Sequence, residues 1–258
     1  MFKVATWNVN SLKVRLPHVI AWLKKENPDV LALQETKSID ENFPIDAIEK
    51  AGYHVSFVGQ KTYNGVATIS KLPIITISKS LPNYDDKQKR VLAIKTDGVT
   101  ILNIYVPNGS EVNSEKYKYK LEWFSKLHPF INELKKENSR LIILGDFNIA
   151  PEDRDVHSPE EWEGCVLVSK PERAEFKKLL SDDMSDCFRI YNEKAGHYSW
   201  WDYRAASFRR DRGVRIDHII ASKEMTKICR ACYIDKNPRK LERPSDHTPV
   251  VAEFNTDI

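Results

Sequence analysis

A chain of 258 residues with 41% apolar and 30% charged residues can bury a large core, and its six Trp, ten Tyr and ten Phe exclude a disordered polymer. The net charge of +3 is too small to mark a nucleic-acid binder by itself, so such a role must come from local clustering. No apolar run approaches a membrane span, the N-terminus lacks a signal-peptide pattern, and the four Cys, with only Cys229 and Cys232 closely spaced, read as reduced thiols; a cytoplasmic protein is expected.

No Gly/Ser/Pro-rich linker interrupts the chain, so residues 1–258 are read as a single domain. Lys3 to Asn8 reads as a first strand. Leu12 to Glu26 places Leu12, Leu16, Val19, Ile20 and Leu23 at helical spacing and ends before Asn27-Pro28. Val30 to Glu35 is a second buried strand, and this β-α-β opening predicts parallel neighbours. Ile45 to Ala51 is a short helix. Val55 to Val58, Val66 to Ser70, Ile74 to Ser78, Val91 to Thr96 and Val99 to Tyr105 lie close together with turns between them and read as antiparallel strands. Ser114 to Glu137 is the longest helix, which Pro129 is expected to kink or split.

The aliphatic run Leu141 to Leu144, followed by Gly145-Asp146-Phe147-Asn148, predicts a strand covered on both faces. If it continues through Asn148, alternation puts Asp146 and Asn148 on one face and Phe147 on the other. From Pro151 to Lys170 no element is clear. Arg173 to Leu180 reads as helix, and Ile216 to Ser222, Ile228 to Ile234 and Val250 to Phe254 as strands. Parallel and antiparallel cues in one chain predict an α/β fold of two packed mixed sheets with helices outside.

Apolar runs repeatedly end on an acid or amide. Val4 to Trp7 leads to Asn8 and Asn10, Val30 to Leu33 to Gln34 and Glu35, Ile101 to Ile104 to Tyr105 and Asn108, and Leu141 to Leu144 to Asp146 and Asn148. Val214 to Ile216 leads to Asp217, and Ser245-Asp246-His247 precedes the last strand. If these ends meet in one crevice, they make a cluster of hard oxygen ligands with one imidazole, which suits Mg²⁺ or Mn²⁺ better than zinc. Singly, each has a plainer explanation: Glu35 as a partner of Lys37, Asp217 as a strand-edge ion-pair partner, His247 as a structural histidine, Tyr105 as a core aromatic. The chain has no G-x-S-x-G, G-x-x-x-x-G-K-[ST] or G-x-G-x-x-G and only nine Gly, so phosphate chemistry would rest on metal and side chains.

A second informative stretch is Tyr198 to Arg215, with aromatics beside five Arg in twelve positions. It suits a phosphate backbone and an unstacked nucleotide, or equally a surface loop pinned by buried aromatics. Lys116-Tyr117-Lys118-Tyr119-Lys120 reads as a charged helix face.

Thr6-Trp7-Asn8-Val9-Asn10, Leu33-Gln34-Glu35-Thr36-Lys37, Tyr105-Val106-Pro107-Asn108-Gly109, Gly145-Asp146-Phe147-Asn148-Ile149-Ala150-Pro151, Arg215-Ile216-Asp217 and Ser245-Asp246-His247 together resemble the exonuclease III family of AP endonucleases, in that family's order. Tyr63-Asn64-Gly65-Val66-Ala67 and Ser199-Trp200-Trp201-Asp202-Tyr203-Arg204 are similar to its bacterial members. The resemblance implies a four-layer α/β sandwich of two packed mixed β-sheets flanked by helices. It also implies a DNA-repair enzyme that cuts on the 5′ side of abasic sites, clears blocked 3′ ends and degrades duplex DNA from the 3′ end.

Carried over by motif, Glu35 is the principal Mg²⁺ ligand, with Asn8, Asp146, Asn148, Asp246 and His247 near that or a second metal position. Asn10 stands where some relatives carry Asp. Trp200, Val214 and Ile216 match positions lining the abasic-sugar pocket, Val214 being smaller than the aromatic of some relatives; Asn10, Asn108 and Arg204 complete the expected DNA contacts. The implied chemistry is in-line attack of water on a phosphodiester. Asp146, oriented by Asn148, is the base, His247 is held cationic by Asp217, and Tyr105 donates to the phosphate. Double-stranded DNA, abasic or 3′-blocked, is the expected partner and a monomer the expected state. Hydrolysis of inositol phosphates or sphingomyelin by a related fold is disfavoured by the Arg-rich aromatic stretch. A non-enzymatic nucleic-acid binder is disfavoured by the joint presence of Glu35, Asp146, Asp217, Asp246 and His247.

Overall fold

The structure is a computed structural model that describes residues 1–180 and 183–256. In chain order it contains β1 (Phe2–Asn8), α1 (Leu12–Glu26), β2 (Val30–Gln34), α2 (Ile45–Lys50), β3 (His54–Val58), β4 (Val66–Ser70), β5 (Ile75–Ser78), β6 (Val91–Thr96), β7 (Val99–Tyr105), α3 (Glu115–Glu137) and β8 (Leu141–Asp146). There follow α4 (Pro159–Trp162), α5 (Lys170–Leu179), β9 (Met184–Asp186), α6 (Cys187–Tyr191), β10 (Asp217–Ser222), α7 (Lys223–Ile228), β11 (Cys229–Ile234) and β12 (Val250–Phe254). One six-stranded sheet has the order β11-β12-β1-β2-β4-β3 and the other β5-β6-β7-β8-β10-β9. Each is mixed: β1 pairs parallel with β2 and β7 with β8, while the other pairings are antiparallel.

The inner faces of both sheets share one core, in which Val4, Ala32 and Ala252 meet Ile94, Ile101, Ile142, Leu144 and Ile219. Helix α1 covers the outside of the first sheet through Leu12, Val19, Trp22 and Leu23. It stops where Asn27 turns left-handed (φ 48°) and caps with its N–H on Leu23 O, just before Pro28. Helices α3 and α5 cover the outside of the second sheet with Trp123, Phe124, Leu127, Phe130, Ile131, Leu134 and Phe176. The layers are therefore α/β/β/α, as expected. Not every sheet–sheet contact is apolar. Gln34 Nε2 donates to Asn103 Oδ1 (2.8 Å), and Asn103 Nδ2 donates to Ala67 O (2.9 Å), pinning β2 and β4 against β7 below the strand ends.

Several expectations need correction. Helix α3 is not split at Pro129 but runs through it as one element, because its long apolar face outweighs one missing backbone bond. Strand β8 ends at Asp146, since Asn148 adopts a left-handed backbone (φ 49°). The stretch 151–170 holds a 3₁₀ turn at Asp153–Asp155 and the one-turn α4. Short β9, α6 and α7 carry no periodic signal long enough to read.

Candidate active site and metal centre

Parallel pairing places the C-terminal ends of β1 and β2 side by side, and likewise those of β7 and β8, so Asn8 and Glu35 meet Tyr105 and Asp146 where the sheets face each other. Strand β10 runs antiparallel to β8 and opens with Asp217 opposite Asp146. His247 lies just before β12 and forms a bridge with Trp200. Gly145 makes this delivery possible: its φ is +146°, and a Cβ there would sit 1.9 Å from Ile104 O on β7.

Asn8 joins the two sheets, its Nδ2 donating to Glu35 Oε1 (2.8 Å) and Asp146 Oδ2 (2.9 Å), while its Oδ1 accepts the N–H of Asn10 (3.0 Å). His247 Nδ1 lies 2.9 Å from Asp217 Oδ2, and its Nε2 lies 3.7 Å from Asp146 Oδ2. Burial alone would lower the pKa of His247, but the carboxylates of Asp217 and Asp146 outweigh it and raise it to about 10. The imidazole is a cation with Nε2–H aimed into the cleft. Burial raises Asp146 to about 7 against the opposing pull of His247, with Asp217 adding to the rise. Tyr105 is pushed well above the ordinary phenol range by burial and by Glu35, so it stays a hydroxyl donor.

Glu35, Asp146 and His247 each offer a ligand atom within 4.8 Å of the other two. His247 commits its Nδ1 to Asp217, so the carboxylates of Glu35 and Asp146, with His247 Nε2 beside them, are the atoms that could hold a cation, and hard oxygens of this kind fit Mg²⁺ or Mn²⁺. Lys37 Nζ sits 2.9 Å from Glu35 Oε2, so the plainer explanation of Glu35 is also present, beside the cluster rather than instead of it.

Residues 5–247 match the model of the endonuclease/exonuclease/phosphatase family. The chain is 34% identical to exodeoxyribonuclease III of Haemophilus influenzae across 98% of this chain and 99% of that one. The chain belongs to that family. Among solved structures, the 3′ phosphatase NExo from Neisseria bound to a product DNA hairpin superposes with a TM-score of 0.97 at 43% identity, covering 99% of this chain and 100% of that one. An AP endonuclease from Archaeoglobus fulgidus gives 0.94 at 39% identity, with the same coverage.

Within this endonuclease/exonuclease/phosphatase fold the remaining candidate residues fall into three groups. Asn148 contributes its backbone rather than its side chain, its N–H holding Asp146 Oδ1 (2.9 Å). Its Oδ1 accepts from Asn108 Nδ2 (3.0 Å), and its Nδ2 donates to Val106 O (2.9 Å). Asp246 is not grouped with Glu35 and Asp146: it accepts from Trp200 Nε1 (3.0 Å) and Asn10 Nδ2 (3.0 Å), and Asn10 Oδ1 accepts from Lys37 Nζ (2.6 Å). Trp200, Val214 and Ile216 gather in one apolar cluster with Trp162, whose ring meets that of Trp200 edge-on at 6.4 Å. A cavity of about 430 Å³ is lined by Tyr63, Asn64, Arg90, Tyr105, Asn108 and Lys116 among others.

The Arg-rich stretch divides. Trp201 is fully buried and is flanked by Phe208 and by the Arg239 guanidinium, so it is not free to stack on a base. Arg215 is buried on Asp155 (2.6 Å) and Asp186 (2.8 Å), Arg212 is paired with Glu161, and exposed Arg204 is clamped by Asp202 (2.7 Å). Arg209 and Arg210 remain as exposed cations. Two further supports escaped notice in the sequence. Ser199 Oγ accepts the N–H of both Ile216 and Asp217 (3.1 Å each), and a lone serine carries no signal for that. Lys120 lies in the buried row of α3 rather than on a charged face, and its place in that apolar stripe was the readable sign.

Proposed function

We propose that the chain is a metal-dependent DNA-repair nuclease that hydrolyses phosphodiester bonds of double-stranded DNA, incising on the 5′ side of abasic sites and removing nucleotides or blocking groups from 3′ ends. The observation that carries this reading is the meeting of Glu35, Asp146 and the Asp217–His247 pair in one buried cleft. Membership of the family and likeness to relatives named as exodeoxyribonuclease III and AP endonuclease support it. A solved neighbour bound to a DNA hairpin supports a DNA partner. The fold is taken to act as one catalytic domain and as a monomer in the cytoplasm. Among the described residues no helix is long and apolar enough to cross a membrane.

Asp146, held by Asn8 and by the Asn148 N–H, is placed to take a proton from the attacking water. His247, cationic through Asp217, and the hydroxyl of Tyr105 donate to the phosphoryl oxygens as negative charge builds on them. Mg²⁺ or Mn²⁺ bound by Glu35 and Asp146 would polarise the phosphate and steady the leaving oxygen. Half-buried Trp200, backed by the buried Val214 and Ile216, is the apolar wall proposed to meet a base-free sugar, and Asn10, Asn108 and Arg204 are proposed to border the DNA path.

The test uses an end-labelled duplex carrying one abasic site, beside an undamaged blunt duplex and a single strand, each with Mg²⁺ and with chelator. Incision on the 5′ side of the lesion is expected only with metal present. Cleavage that persists in chelator, or an equal rate on the single strand, would overturn the reading.

A further inference from the structure

Helix α3 carries one charged residue in its buried row. Tyr117, Phe124, Leu127, Ile131 and Leu134 face inward at three- and four-residue steps, and Lys120 lies among them with no exposed surface. Its ammonium has three protons and three acceptors: Glu172 Oε1 at 2.5 Å, Asn148 O at 2.6 Å and Asn108 O at 3.1 Å. Asn108 and Asn148 are themselves joined side chain to side chain, and the N–H of Asn148 holds the carboxylate of Asp146. Glu172 is equally buried. Its Oε1 accepts from the Leu167 N–H (3.0 Å), and its Oε2 accepts from the N–H (3.1 Å) and hydroxyl (2.5 Å) of Ser169. Leu167 in turn packs in the cluster of Val214 and Ile216.

One ammonium therefore ties together the loop after β7, the loop after β8 and the segment behind the Trp200 wall. An apolar side chain would hold α3 to the sheet at least as well, because a buried ion pair gains little over a hydrophobic pair of equal volume. Helix packing does not explain a lysine here. Three donors aimed at two loop carbonyls and one carboxylate do.

We propose that Lys120 and Glu172 form a positioning unit that fixes Asn148, and through it Asp146, against the apolar wall, without touching substrate. The proposal rests on the reading of Asp146 as the base.

The test compares K120M, K120R, E172Q and the double variant K120M/E172M with D146N in parallel. It measures kcat and KM on the abasic duplex, Mn²⁺ affinity by titration and the urea unfolding midpoint. K120M is expected to lower kcat roughly 100-fold, the scale of a misplacement of about 1 Å, with KM little changed and Mn²⁺ affinity weakened, because Asp146 is one of the two carboxylates proposed to hold the cation. K120R, which keeps the charge and several donors, should recover to within about tenfold of the wild type. The double variant should regain the unfolding midpoint, because no unpaired buried charge remains, while kcat stays low.

If kcat returns together with the midpoint, or if K120M keeps a near-normal kcat, the pair is merely structural and the proposal falls. Should neither methionine variant fold, E172Q decides by the same criterion, kcat set against midpoint. Turnover retained by D146N would instead remove the base assignment itself. An inactive D146N beside a normal K120 series removes the positioning role alone.

Discussion

Residues 215 to 218 separate two clusters of buried charge. On one side Arg215 and Arg189 pair with Asp155 and Asp186, and His218 stays neutral, its pKa lowered to about 4 by burial and by Arg215. Two cations meet two anions, and every charge is answered. On the other side Glu35, Asp146 and Asp217 make ion-pair contacts, among the described residues, with Lys37 and His247, three carboxylates to two cations. Both clusters are largely buried and hydrogen-bonded, and in the chain they come within two residues of each other at Arg215 and Asp217. Balance distinguishes them: the first is a scaffold that fastens β9, β10 and the 3₁₀ turn, and the second is complete only with a further cation. Burial of charge is thus a poor marker of a site, and unbalanced charge a better one.

The largest effect that could break this comparison comes from Asp146→Asn, which keeps the shape and removes the carboxylate proposed as the base. A loss in kcat of roughly 10³ to 10⁴ is expected with DNA affinity retained, measured by single-turnover cleavage and by titration of labelled duplex. Near-normal turnover would return Asp146 to the status of a buried turn residue.

On the balanced side, Arg215→Met strands Asp186 and leaves Asp155 to Arg189 alone, and should cost about 3–5 kcal/mol in urea unfolding, with turnover per folded molecule hardly altered. A fall in kcat without a fall in stability would show that the scaffold takes part in the chemistry.

A smaller effect follows from Asp217→Asn. The folded pKa of His247 is raised above its ordinary 6.5 to about 10, so its contribution to stability is fully present below about 6.5 and is lost as pH rises toward about 10. The wild-type chain without metal should lose stability across that window, and the variant should lose less. The alkaline limb of its rate profile should also move toward neutral pH, since the imidazolium is no longer held. An unchanged alkaline limb would rule out His247 as the donor. The smallest change is expected from Arg209→Ala with Arg210→Ala: a KM increase of a few-fold, a salt slope shallower by up to about 2, and an unaltered kcat.

The strand ends were legible because buried strands must be apolar, so an acid or amide at their margin stands out, as at Asn8, Glu35 and Asp146. The layers followed from the same runs. What stayed hidden depends on partners distant in sequence. Arg215 and exposed Arg209 look alike until Asp155 and Asp186 are placed, and Trp201 looks as available as Trp200 until Phe208 and Arg239 enclose it. A strand continuing through Asn148 would put its side chain on the face of Asp146, but its left-handed backbone turns the amide group toward Asn108 and leaves its N–H for Asp146. Asp246 shares a motif with His247 and immediately precedes it, yet it accepts from Trp200 and Asn10.

The left-handed backbone recurs around the cleft, at Asn10 (φ 43°), Glu35 (φ 50°), Lys37 (φ 51°) and Asn148 (φ 49°). Asparagine tolerates that conformation, whereas glutamate and lysine adopt it at a cost of about 1 kcal/mol each. A library sorted only for thermal stability would therefore replace Glu35 and Lys37 with Gly or Asn, and would collect well-folded proteins that have lost a carboxylate of the cation cluster.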